Sequence, residues 1–236
     1  MSELILVRHG QASFGADSYD KLSELGVTQV QHLCRHWQTL GVQFDQLYSG
    51  TLLRQRETAA ELLPLLAGQN VQPQQMAALN EYSGDPLIKA YLRNHASDEG
   101  FDPALAWPLQ EERLFQRVFE AATARWINNN LEPDPEDLEF ESWSQFRERV
   151  HQAIDGIMAR HQNGSRVLIS TSGGVIAMTL QRVLEIPDRH VISTNWMVHN
   201  SSVTRIKYGG GKMSLTQFNS LPHLEKVDLQ TLITYR

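Results

Sequence analysis

Leu4-Ile5-Leu6-Val7-Arg8-His9-Gly10 is the stretch that decides the architecture. Leu4 to Val7 is apolar at every position, without the alternation of a strand that has one wet face. Such a run suits a strand buried on both faces, as in a parallel sheet. It breaks at Arg8-His9-Gly10, so these three residues stand at the carboxyl end of the strand, outside which open α/β sheets bind ligands. Val167-Leu168-Ile169 repeats the pattern and breaks at Ser170-Thr171-Ser172-Gly173-Gly174. A helical segment from Val175 to about Leu184 follows. Strand, glycine-bearing turn and helix make a βα unit.

Working outward, Ser23 to Leu40 reads as a helix, with Val27, Val30, Leu33, Trp37 and Leu40 three or four residues apart and Gly41 as its stop. Leu47-Tyr48-Ser49 closes a short strand. Thr51 offers an N-cap for a helix through Leu63, interrupted near Pro64. Ser142-Trp143-Ser144-Gln145 has the form of a capping box, and Phe146, Val150, Ile154 and Ile157 give the following helix a core-facing stripe. Arg205 to Tyr208, Gly209-Gly210-Gly211 and Met213 to Leu215 predict a hairpin at a sheet edge. Residues 83–140 differ in kind: a helical pattern through Leu114, Val118 and Trp126, then the acidic loop Glu132-Pro133-Asp134-Pro135-Glu136-Asp137. The expectation is a single domain over residues 1–236 with a helical cap insertion at about 83–140.

The chain has 236 residues, 41% hydrophobic and 20% charged, enough apolar material for a sizeable core. No run approaches the roughly 20 apolar residues of a membrane span. Met1 to Val7 lacks the basic region of a signal peptide, and Cys34 is the one cysteine, which fits a reducing cytoplasm. The net charge of −6 opposes general binding to nucleic acid or anionic membrane. It leaves room for a local cationic pocket, because salt screens the net field within about 8 Å.

The chemistry centres on Arg8-His9-Gly10. A neutral imidazole nitrogen can attack phosphorus. An adjacent arginine offers planar, permanently charged donors to phosphate oxygens. Gly10 lets the backbone approach a ligand. His32 and His36, four apart on a helix, have metal-ligand spacing, yet no third ligand stands at a telling distance. Gly209-Gly210-Gly211 lacks the Lys-Ser/Thr and the helix of a phosphate loop.

Leu6-Val7-Arg8-His9-Gly10-Gln11-Ala12 resembles the opening signature of the histidine phosphatase superfamily, the phosphoglycerate-mutase-like proteins. Leu22 to Gln29, Tyr48 to Ala59, Leu79 to Gly84 and Asn200 to Thr204 are similar to later segments of that family, in the family's order. The resemblance implies a three-layer α/β sandwich with a mostly parallel sheet. It implies His9 as the nucleophile that becomes a phosphohistidine, with Glu81 as the acid that protonates the leaving oxygen. Arg8 and Arg54 would clamp the phosphoryl oxygens, and Gln11, Ser172, Gly173 and Asn200 would line the substrate site. No metal or other cofactor is implied.

The departure is Ser172, where the family has a second histidine. Serine lacks the charge but keeps a hydroxyl donor. Losing one transition-state donor costs about 100- to 1000-fold in rate. Three readings follow: a working variant pocket, compensation by another histidine such as His199, or a weak enzyme or phospholigand-binding module. The expected activity is phosphomonoester hydrolysis of a small phosphorylated metabolite. A mutase is the rival, but true mutases follow the signature with Glu-Ser and then Trp-Asn, whereas this chain has Gln11-Ala12-Ser13-Phe14-Gly15. The edge hairpin permits a homodimer.

Overall fold

The structure is a computed structural model that describes residues 1–13, 20–68, 72–135 and 137–235; Phe14, Gly15 and Glu136 lie outside them. The chain divides into two compact units, Met1–Glu81 with Val150–Arg236, and Tyr82–Arg149.

In the first unit, β1 (Ser2–Arg8), α1 (Glu24–Thr39), β2 (Gln46–Ser49), α2 (Leu53–Leu62) and β3 (Gln74–Gln75) come first. After the second unit, β4 (Arg166–Thr171), α6 (Gly173–Leu184), α7 (Arg189–Met197), β5 (Val203–Gly209) and β6 (Lys212–Ser220) complete it. The six strands lie in the order β3-β2-β4-β1-β5-β6. β3, β2, β4 and β1 run parallel, whereas β5 and β6 are antiparallel to their neighbours. β1 therefore occupies the interior of the sheet, with β4 on one side and β5 on the other, and Leu4, Ile5, Leu6 and Val7 are all fully buried. Ile5 and Val7 pack with Val30, Leu33 and Trp37 of α1 and with Ala59 and Leu62 of α2. Side chains alternate along a strand, so Leu4 and Leu6 face the opposite layer. This is the mostly parallel, helix-covered sheet expected from the apolar runs.

Local chemistry sets the element ends. Ser23 Oγ accepts from the Gly26 amide at 3.0 Å and starts α1. Gly41, at φ 63°, lets the chain leave it. The β5–β6 hairpin sits at the sheet edge, as its glycine run predicts. Thr51 is not the cap of α2: Leu52 holds that position, and Thr51 instead pairs reciprocally with Asn80, its amide donating to Asn80 Oδ1 and its hydroxyl accepting from Asn80 Nδ2, each at 2.7 Å.

The second unit contains α3 (Gly84–His95), α4 (Glu112–Ile127) and the first turns of α5 (Trp143–Arg160). Its core is aromatic: Tyr82, Trp126, Trp143 and Phe146 are buried with ring centroids 4.8–6.0 Å apart. The capping box is present, Gln145 Oε1 accepting from the Ser142 amide at 2.8 Å and Ser142 Oγ from the Gln145 amide at 3.2 Å. Arg93 holds the acidic loop through Asp134 and Asp137. The residue periodicity gave no sign of α3 or α7.

Candidate active site

The loop after β1 is fixed from three sides. The His9 amide donates to Thr171 O at 2.8 Å, the Gly10 amide donates to Thr58 Oγ1 at 3.2 Å, and the Ser201 amide donates to Arg8 O at 3.1 Å. Gly10 serves packing of the backbone itself: a Cβ there would lie 2.4 Å from the Gly26 carbonyl oxygen, and one on Gly26 would lie 2.2 Å from Gln11 O. Neither position admits a side chain, which ties the loop to the first turn of α1.

His9 is 6% exposed. Its Nδ1 lies 2.7 Å from Gly10 O, an acceptor, so Nδ1 carries the proton. Its Nε2 faces Arg54 Nε–H at 3.2 Å, a donor, so Nε2 carries the lone pair. Burial, then the charges of Arg8 and Arg54, push the His9 pKa well below the ordinary histidine value, while the bond to Gly10 O acts in the opposite direction. The ring is thus neutral near pH 7, the form that can attack an electrophile.

Arg54 occupies the first turn of α2 and holds Asp20 Oδ1 at 2.5 Å. Asp20 Oδ2 also accepts from the Leu53 amide at 2.7 Å. One carboxylate therefore takes both the guanidinium and a helix-terminal amide, the kind of donors that suit a phosphate. Arg8 donates to Val198 O, the carbonyl that follows α7, with its charge still close enough to act on His9.

Glu81 is held beside the turn after β4. Its Oε2 accepts from the Gly174 amide at 2.9 Å, in the first turn of α6. The segment before it is pinned by Leu79 O, which accepts from Thr171 Oγ1 at 2.7 Å and Gln55 Nε2 at 3.1 Å. Gly173 is buried, and a Cβ there would lie 2.2 Å from Asn195 Oδ1.

Two residues expected to face substrate are buried. Ser172 is fully buried, and its hydroxyl accepts from Gln55 Nε2 at 2.9 Å. Asn200 is 1% exposed; its Nδ2 donates to His9 O at 3.2 Å and its Oδ1 accepts from Thr234 Oγ1 at 2.9 Å. Each side chain has a hydrogen bond within the protein. Gln11 accepts from Ser23 Oγ at 2.9 Å, and its amide donates to Gln29 Oε1 at 2.9 Å. The His199 ring packs on Tyr235, with centroids 4.1 Å apart.

Asp20, Gln55, Thr58, Gln29 and Thr234 were not picked out by the sequence. Gln55 lies inside the segment quoted for its arginine, and its spacing from Arg54 was the one available signal. Among the described residues, no group of three or more His, Cys, Asp or Glu is arranged to hold a metal ion. No helix among them is long and apolar enough to cross a membrane.

The family model of the histidine phosphatase superfamily (branch 1) matches residues 4–91 and 106–221. The chain belongs to this superfamily. Among solved structures it is similar to YhfR of Bacillus stearothermophilus, at 21% identity and a TM-score of 0.67 over 95% of this chain and 100% of that one. It is also similar to phosphoserine phosphatase of Entamoeba histolytica in complex with 3-phosphoglyceric acid, at 17% identity and a TM-score of 0.64 over 95% and 100% of the two chains. A mycobacterial glucosyl-3-phosphoglycerate phosphatase with inorganic phosphate gives 18% identity and a TM-score of 0.63, over 95% and 100%. No curated protein matches the chain. The fold is the phosphoglycerate-mutase-like sandwich of this superfamily.

Proposed function

We propose that this histidine phosphatase superfamily member hydrolyses phosphomonoesters of small metabolites through a phosphohistidine on His9. The observation that carries the reading is the setting of His9: Nδ1 on Gly10 O at 2.7 Å and Nε2 facing Arg54 Nε at 3.2 Å, which together favour a neutral ring with its lone pair on Nε2. In the first step Nε2 forms a bond to phosphorus, the ester P–O bond breaks, and Glu81 delivers a proton to the departing oxygen. In the second step water attacks phosphorus, Glu81 takes the water proton, and the P–N bond breaks to return its electron pair to Nε2. Arg54 and Arg8 balance the charge on the phosphoryl oxygens, so the step needs no metal.

The experiment is hydrolysis of an aryl phosphate with acid-quench and base-quench trapping of the protein. Turnover with an acid-labile, base-stable phosphoprotein is expected, and both are lost in His9→Ala. Full turnover in His9→Ala refutes the mechanism. One observation favours a second reading, a phospholigand-binding module with little turnover: the Ser172 hydroxyl is buried against Gln55, so no second imidazole donor stands at this position. Saturable phosphate binding without turnover in the wild type selects that reading.

A further inference from the structure

His32 and His36, left without a third ligand by the sequence, meet a third histidine in the fold. A cavity of about 310 Å³ is lined by His32, Arg35 and His36 of α1 and by His223 and Lys226 of the segment after β6. Arg35 and Lys226 bring positive charge, which repels a metal ion, and among the described residues the histidines form no group that could hold one. Among the described residues, no acidic one lines the cavity. In a chain of net charge −6, Arg35 and Lys226 beside one concavity favour an anionic occupant.

His223 adds a second, independent observation. It is 2% exposed, its Nε2 lies 2.9 Å from Ser201 Oγ, and its buried Nδ1 has no hydrogen-bond partner. Buried polar atoms in native proteins are normally partnered, and this unpartnered one belongs to a side chain that lines the cavity. Ser201 in turn donates its amide to Arg8 O at 3.1 Å and His9 O at 3.3 Å, from a left-handed backbone at φ 57°. The cavity wall is therefore two hydrogen bonds from the backbone of the nucleophile.

We propose that this cavity is a second, non-catalytic anion site that takes a phosphate group, free or on a small metabolite, between Arg35, Lys226 and the histidines of α1. Arginine offers a planar fork to phosphate oxygens, and two fixed positive charges match a dianion. The site does not depend on His9 being a nucleophile. Charged groups acting on it from other elements are Asp228, which favours protonated His32, and Arg205, which opposes protonation of His36.

The test is a proton NMR titration of the whole protein with inorganic phosphate, following the ring protons of His32 and His36, assigned by His32→Gln and His36→Gln. Saturable movement of both is expected, with their pKa values raised by bound phosphate. The movement persists in Arg54→Ala, which disables the proposed catalytic pocket, and weakens at least about ten-fold in Arg35→Gln with Lys226→Gln. A phosphonate monoester that shifts the same resonances identifies a metabolite-borne group as a ligand, and its failure restricts the site to free phosphate. No saturable shift in the wild type, equal affinity in the double variant, or tighter binding of succinate than of phosphate overturns the proposal.

Discussion

Gln55 Nε2 donates to Ser172 Oγ at 2.9 Å, so the helix that carries Arg54 also holds the one position where this chain departs from the histidine expected there. The glutamine side chain stands against Ser172 in a site with no free surface. A larger side chain at 172 has to displace it. Ser172→His is expected to lower stability by about 1–3 kcal/mol through overpacking, read as a shift in urea midpoint. Adding Gln55→Ala makes room. The double variant should then turn over an aryl phosphate about ten-fold faster than Gln55→Ala alone, within the range of a single oxyanion donor. Equal rates in the two would show that residue 172 does not reach the phosphoryl group.

Asp20 occupies Arg54 and the Leu53 amide together. Asn in its place keeps an acceptor for the amide and removes the charge. Asp20→Asn should tighten inhibition by inorganic phosphate by up to about five-fold, the range of a partly exposed ion pair. Weaker phosphate binding in Asp20→Asn would mean that the carboxylate positions Arg54 for the ligand.

His9 stays neutral well below the ordinary histidine range because of burial and two arginines. The acid limb of kcat/KM for an aryl phosphate should therefore lie below pH 6.5, not at it. An inflection at the ordinary histidine value would indicate a solvated His9.

Stability should fall with acidity for the same reason. Burial, then His36 and His32, bring His223 down to about 3 in the folded chain. Above pH 6.5 the folded and unfolded chains both hold it neutral. As pH falls through 6.5 only the unfolded chain binds the proton, so folding loses about 2 kcal/mol from His223 by pH 5. His9 acts in the same direction. Urea denaturation at pH 7.5 and pH 5 should show the loss, and His223→Gln should reduce it. An unchanged pH dependence in that variant would contradict the assignment.

Thr234 bridges two supports of the site, its Oγ1 accepting from Gln29 Nε2 at 2.9 Å and donating to Asn200 Oδ1 at 2.9 Å. Thr234→Val keeps the shape and removes both bonds. A loss of about 1–3 kcal/mol is expected from the partners left behind, with kcat lowered more than KM because Asn200 holds the His9 carbonyl. A change in KM with kcat intact would place Thr234 against substrate.

The sheet was legible because its interior strands are apolar at every position, a pattern that solvent exposure does not allow. His9, Arg54 and Glu81 were legible because each sits in a segment with several characteristic neighbours. The structure brings Arg54 to His9 and Glu81 to the turn that Ser172 opens. What was not legible depends on pairing over distance. Asp20 is 34 residues from Arg54 and Gln55 is 117 from Ser172, and no local pattern encodes either pair. Asn200 and Ser172 were assigned to the substrate site on the family resemblance alone, and the resemblance did not foretell that both are buried with hydrogen bonds inside the protein. Thr51 was misassigned as a cap because Asn80, its actual partner, lies 29 residues on.

The contact of Gly10 with Gly26 has a mechanical meaning. Two backbones meet there with no methyl's width between them, so the nucleophile's loop and the first turn of α1 share one joint with no room for a side chain. Directed evolution of this protein will find those two positions closed to single substitutions, and will reach new activities by altering what surrounds this hinge-free joint.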